Sequence, residues 1–222
     1  AAALQKELHN IGAIVSPKSG IVASTKRLAG ALSSALVKQG LKINARDSIR
    51  DLGVESAGMR RRGAALSNKR VKTGFLRAKR TGALARCVKK ARKLQATGAF
   101  PQSAFGATAI GLAPRQLQRL RTSAALSTGY PISGACTTTL IHIGHAGEQD
   151  PAIKIRVQAV SEWLNFWFGY PCYHKRITRA WSWIAERLRN PARRWLRVKG
   201  PISTVLAYLM DVGWTLPSPT LW

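Results

Sequence analysis

Between Glu55 and Glu148 the chain runs through residues 56–147 without a single Asp or Glu, while carrying seventeen Lys and Arg. Fourteen of these cations fall between Met59 and Leu94. A charge run most often becomes a solvated helix face, but such faces normally mix both signs. A one-signed array on helices points instead to a surface that tracks phosphates. The candidate nucleic-acid-binding residues are Arg60, Arg61, Arg62, Lys69, Arg70, Lys72, Arg77, Lys79, Arg80, Arg86, Lys89, Lys90, Arg92, Lys93, Arg115, Arg119 and Arg121. Phosphate contacts position a protein without reading bases, so no sequence specificity is implied.

The rest of the composition fits that reading. The 222 residues hold 36 Lys and Arg against nine acidic residues, a net charge of +27 that repels itself in the compact state. At 45% hydrophobic content the chain can still bury a core. A polyanion is the expected partner: nucleic acid first, an anionic membrane surface second and acidic proteins third. Cys87, Cys136 and Cys172 are an odd number at wide spacing, which argues against a disulfide framework and suits a reducing compartment, nuclear or cytoplasmic. The apolar stretch STVLAYLM is shorter than the roughly 20 residues needed to cross a bilayer. The opening AAALQKEL shows no charged-then-apolar leader and reads as part of something longer.

The patterning predicts a mainly α chain with a small α+β portion in residues 1–56. There, ALQKELHNIG reads as the end of a helix closed by Gly12, and AIV-SPKSG-IVA as a short hairpin. Ser24 is the expected N-cap of a helix through Gln39 with Leu28, Leu32, Ala35 and Leu36 as its apolar stripe, and SIRDLGV is the next strand. Residues 57–126 form a basic helical domain. Its first long helix spans 68–97, with Val71, Phe75, Leu84, Val88, Ala91 and Leu94 near one face and a kink expected at Gly74 or Gly82. Pro114 opens another helix, with Leu117, Leu120 and Ala124 inward and Arg115, Arg119 and Arg121 outward. Residues 127–149 read as a linker. Residues 150–222 form a helical tail that holds all seven tryptophans and packs by itself, capped at its start by Asp150 and Pro151.

Catalytic motifs are sparse. Asp47 and Asp51 are the one close carboxylate pair beside a strand, and nothing resembles a two-metal cluster. Cys136, His142, His145 and Glu148 have ligand-type side chains, but HxxH without a second firm pair is a weak zinc signal, and polar loop residues are the simpler reading. Phosphate-binding glycine loops and the GxSxG elbow are absent from the sequence. Large apolar side chains between residues 59 and 94 are too few for an interfacial anchor, and the tail tryptophans at helix spacing are more simply core, which argues against a membrane.

Three stretches, taken in order, resemble the back half of a reverse transcriptase of the non-LTR (LINE-like) retrotransposon class. "LQKELHNIGAIVSPKSGIVAS" is similar to the segment after the catalytic aspartate pair: a helix, a glycine, a short strand and then a lysine in an N/S-x-K-S/T pattern. "IRDLGVES" resembles the strand turn that grips the primer end, with Asp51 where an aromatic residue is usual. "RKLQATGAFPQSAFGATAIGLAPRQLQRLR" looks like the thumb and its following connection.

The resemblance covers residues 3 to about 126 and implies a palm remnant in 1–56, a thumb in 57–126 and a downstream helical tail. It assigns Lys18 to the leaving-group phosphates, and Leu52 and Gly53 to the primer grip. The basic helices would lie along an RNA/DNA hybrid. The (F/Y)xDD strand turn and the earlier aspartate that hold two Mg²⁺ ions do not occur in these residues, so the chain alone is expected not to polymerise. Its implied partner is the fingers and remaining palm of the same polyprotein, and Mg²⁺ is expected with the complete nucleotidyltransferase. A non-catalytic basic RNA- or DNA-binding protein is the alternative.

Overall fold

The computed structural model describes residues 7, 10–12, 16, 19–51, 53–58 and 62–220, with Asp51 described by its backbone alone. The chain is mainly α and divides into two compact units, Ala1–Gly63 and Ala64–Trp222.

The first unit is a small α+β module. β1 (Gly20–Ile21) pairs in parallel with β2 (Asn44–Ala45), and α1 (Lys26–Lys38) forms the crossover that parallel strands require. Thr25, one residue later than expected, caps α1: its hydroxyl accepts from the Leu28 amide at 3.2 Å. Of the predicted hairpin, the IVA arm is paired, among the described residues, with the strand beyond α1. The AIV arm, Pro17 and Lys18 lie outside the described residues, as does most of the opening helix. The predicted stripe of α1 is also displaced, because Ala29 is the buried position and Leu28 and Leu32 remain exposed.

DLGV is not the interior of one strand but the turn of a hairpin. β3 (Ser48–Asp51) runs antiparallel to β4 (Val54–Ala57) up to the closing pair Asp51 and Val54, with Gly53 in the turn between them. Gly53 has φ +84°, a left-handed conformation that a side chain would strain. Ser48 ties the hairpin across its strands by donating to the buried Glu55 carboxylate at 2.9 Å.

The second unit is helical throughout. α2 (Ala65–Cys87) buries Ser67, Val71, Gly74, Ala78, Thr81 and Ala85, a 4-3-4-3-4 spacing that keeps one face against α5 (Pro114–Ser127). Small residues on this face let the two helices approach closely. A Cβ at Gly82 would meet the Leu126 carbonyl oxygen, and one at Gly74 would meet the Ser103 hydroxyl. These glycines mark close packing rather than kinks, and α2 passes through both. It ends instead at Val88, whose extended backbone (φ −127°, ψ 100°) leads into a 3₁₀ turn (Lys89–Arg92) and a π-helical turn (Gln95–Ala99). The predicted apolar face is corrected accordingly: Val71 and Ala91 are buried, whereas Leu84, Val88 and Leu94 are about half exposed.

α3 (Phe100–Ala104) and α4 (Ala107–Ile110) carry the chain to Pro114, the first residue of α5. The stretch read as a linker carries α6 (Thr137–His145), because Leu140 and Ile141 are buried and cluster with Ala124 and Ala125. α7 (Pro151–Gly169) begins as predicted: the Asp150 carboxylate accepts from the Ala152 amide at 2.9 Å. α8 (His174–Leu188), α9 (Pro191–Arg197) and α10 (Pro201–Asp211) complete the unit.

The tail does not form a core of its own. Trp163, Trp167 and Trp181 share one hydrophobic cluster with Val71 of α2 and with Leu117 and Leu120 of α5. α10 sits at its centre, buried continuously from Ser203 to Leu209, as expected of a helix that is apolar on most sides. Trp195 packs against Tyr208 at 5.2 Å between ring centroids, while Trp183 and Trp214 stay exposed.

Candidate nucleic-acid interface

The face of α2 turned away from α5 carries the basic residues. Lys69, Lys72, Arg77, Lys79, Arg80 and Arg86 are all exposed, and at 3.6 residues per turn they fan over roughly 180° of the helix, opposite its buried stripe. From Lys69 to Arg86 they extend about 26 Å along the axis. None of the six makes an ion pair among the described residues. Leu76, about half exposed, lies among them. The array continues onto Lys89, Lys90 and Lys93 after the break at Val88, and Arg115 and Arg119 are exposed on α5.

Why the basic face points outward is a matter of packing. The opposite face is held by side chains that bridge α2 and its neighbours. Gln116 donates to the Ser67 hydroxyl at 3.0 Å and to the Asn68 side-chain oxygen at 2.8 Å, and its own oxygen accepts from the Ala113 amide at 2.9 Å. With rotation of α2 fixed in this way, the long charged side chains have only solvent left to them.

Three predicted cations are engaged inside the fold instead. Arg121 pairs with the buried Asp150 at 2.8 Å and also donates to the Thr138 hydroxyl, locking α5 to the start of α7. Arg70 donates to the Phe105 carbonyl at 3.1 Å and lies over the Phe105 ring. Arg92 donates to the Thr128 carbonyl at 2.8 Å with its guanidinium over Tyr130. Arg62 is half-buried, and Arg60, Arg61, Lys18 and Leu52 lie outside the described residues.

The histidines of the expected polar loop are on α6. His145 Nε2 lies 2.8 Å from Ser127 Oγ and 3.0 Å from the Ala124 carbonyl. Ser127 already gives its one proton to that same carbonyl, at 2.7 Å. The imidazole is therefore the donor of this pair, and the fully buried Ser127 is a structural hydroxyl, not an activated nucleophile. Burial holds the His145 imidazole below its ordinary range; the bond to Ala124 acts the other way, and the charge of Arg92 adds to the lowering. Among the described residues no three His, Cys, Asp or Glu converge as metal ligands, and no helix is long and apolar enough to cross a membrane.

The sequence reading passed over a group on the tail. Phe166, Tyr170 and Tyr173 are exposed and lie near one another, with centroid separations of 5.2 Å (Phe166 to Tyr170) and 6.2 Å (Phe166 to Tyr173). Their spacing of four and three residues was the available signal, obscured by Trp163 and Trp167 beside them. No protein-family model, curated protein or solved structure matches the chain.

Proposed function

We propose that the outward face of α2 holds the phosphates of an RNA/DNA hybrid, and that the chain is the template-primer-binding part of an RNA-directed DNA polymerase of the non-LTR retrotransposon class. The observation that carries the reading is the array from Lys69 to Arg86: six exposed cations on one helix, with no carboxylate paired to them among the described residues. Such a surface contributes affinity by releasing counterions from the duplex and recognises backbone geometry rather than bases. In the same reading the β3–β4 turn is the primer grip. Gly53, with no Cβ and a left-handed backbone, lets the chain come close to a sugar-phosphate, and Lys18 stabilises charge on the departing pyrophosphate. The Mg²⁺-binding aspartates belong to the part of the polymerase that precedes these residues, so this chain contributes binding and positioning.

A non-catalytic basic RNA- or DNA-binding protein is the second reading. It draws on the shared core of α2, α5 and the tail, which makes unit 2 a self-contained basic module.

Binding of a labelled hybrid measured between about 50 and 200 mM salt tests the central assignment. Replacing Lys69, Lys72, Lys79 and Arg80 together by Gln is expected to weaken binding and to flatten the logarithmic salt slope by about 3 to 4. An unchanged slope would remove α2 from the interface. Joining an upstream half that carries the aspartates, then assaying primer extension, separates the two readings.

A further inference from the structure

Away from α2, the same unit contains two neighbouring cavities that share a wall formed by Pro201 and Ile202 at the start of α10. The first, about 530 Å³, lies between α7 and α8 and falls in the size range of small-ligand sites. Trp163, Phe166 and Tyr173 give it aromatic walls, and the polar side chains Glu162 and Arg176 line it too. The Phe166 and Tyr173 rings are inclined by only 21° to each other. The second cavity, about 350 Å³, is lined by Arg187, Arg197 and Lys199 together with Trp183, and no carboxylate lines it. Arg187 lies over the Trp183 ring at 4.4 Å, and Arg197 donates to the Arg187 carbonyl at 2.7 Å, so two of the cations are held in place.

We propose that these paired cavities bind single-stranded nucleic acid, the first taking a base and the second the adjoining phosphate. Aromatic faces beside a cationic groove are what a strand needs when its bases are unpaired, because every base has a face to stack and every linkage a charge to neutralise. The second cavity is built for an anion. Three cations crowd it without an acid, and partial desolvation, followed by the charge of Arg187, holds the Lys199 ammonium below the usual lysine range.

The first cavity distinguishes a base from an acyl chain. Glu162 accepts from the Gln158 amide at 2.9 Å through one oxygen, which leaves the other for a ring or exocyclic N–H. An acyl chain offers no donor to that carboxylate, and burying it beside lipid would cost the desolvation of a charge. The assignment does not depend on the duplex reading of α2. It adds a second class of ligand, the unpaired strand, to a separate group of residues.

The test uses the full chain and a labelled RNA strand of about twelve nucleotides, within the range such platforms span, beside an abasic strand with the same phosphates. A blunt duplex of the same sequence and phosphatidylserine–phosphatidylcholine vesicles complete the set. The base-bearing strand is expected to bind about tenfold more tightly than the abasic one. The double variant Phe166→Ala, Tyr173→Ala should erase that difference while leaving duplex binding unchanged, which also shows that it folds. Arg187→Gln with Lys199→Gln should weaken both strands together. The proposal is overturned if the wild-type chain binds the two strands equally, or if the aromatic variant keeps the difference. It is overturned equally if that variant loses vesicle binding instead, which would give the cavity to an acyl chain. Failure of duplex binding would count against the α2 reading alone, since the comparison of the two strands is read without it.

Discussion

Tyr208 shows how a single buried polar group joins distant parts of unit 2. Its hydroxyl accepts from the Leu112 amide at 2.8 Å, deep in the core between α4 and α10. Tyr208→Phe leaves that amide unpaired where water does not reach, and a denaturant titration should show a loss of about 1–3 kcal/mol. His145 gives a pH-dependent counterpart. Its folded pKa lies below the ordinary 6.5, so the unfolded chain binds more protons as the medium is acidified. The contribution is fully present above about pH 6.5 and is lost as pH falls from there toward the lowered folded value. His145→Gln should therefore shrink the drop in urea midpoint between about pH 7.5 and pH 5.5. Cys136, at the N-cap of α6, is a third such case. The Thr139 amide and hydroxyl and the Thr138 amide, polar groups at the helix start beside its sulfur, lower its thiol to about 7. Its alkylation by iodoacetamide should rise through a midpoint near that pH, and Cys136→Ser should remove this phase. A midpoint well above it would contradict the local geometry.

At the level of elements, the contact between α2 and α5 decides most of unit 2. Gly82→Ala would gain about 1 kcal/mol of helix propensity but drive a methyl into the Leu126 carbonyl. Overpacking against backbone costs about 1–3 kcal/mol, so the net expectation is a lower melting temperature. Gly98→Ala, where an added Cβ meets nothing within 4 Å, is the control and should change stability by no more than about 0.5 kcal/mol. The same contact explains what the sequence could and could not reveal. The caps at Asp150 and Pro114 were legible because a cap is a local event, settled by a carboxylate or a ring within a few residues. The buried stripe of α2 was not legible. Large apolar residues such as Leu84 and Leu94 suggested one face, whereas close approach of α2 to α5, and of Gly74 to Ser103 of α3, selected Gly74, Ala78, Gly82 and Ala85. The pairing of β1 with β2 was hidden for a related reason, since it is made across a whole helix and leaves no turn signal.

Across the whole molecule, net charge is the dominant constraint. At +27 the chain repels itself, and screening that repulsion should raise the melting temperature as salt increases over the first tenth of a molar or so. The cationic character of the candidate interface was visible from composition alone. Which cations face solvent was not, because Arg70, Arg92 and Arg121 are drawn inward by a carbonyl or carboxylate that lies 29 to 36 residues away in the sequence. The aromatic and cationic cavities on α7, α8 and α10 likewise exist only once the tail has folded back against its own start. The most direct test of the central claim is lysine acetylation, read by mass spectrometry, with and without a saturating RNA/DNA hybrid. Labelling of Lys69, Lys72 and Lys79 should slow several-fold in the complex. Labelling of these three at the free-chain rate, while the hybrid is demonstrably bound, would contradict that claim.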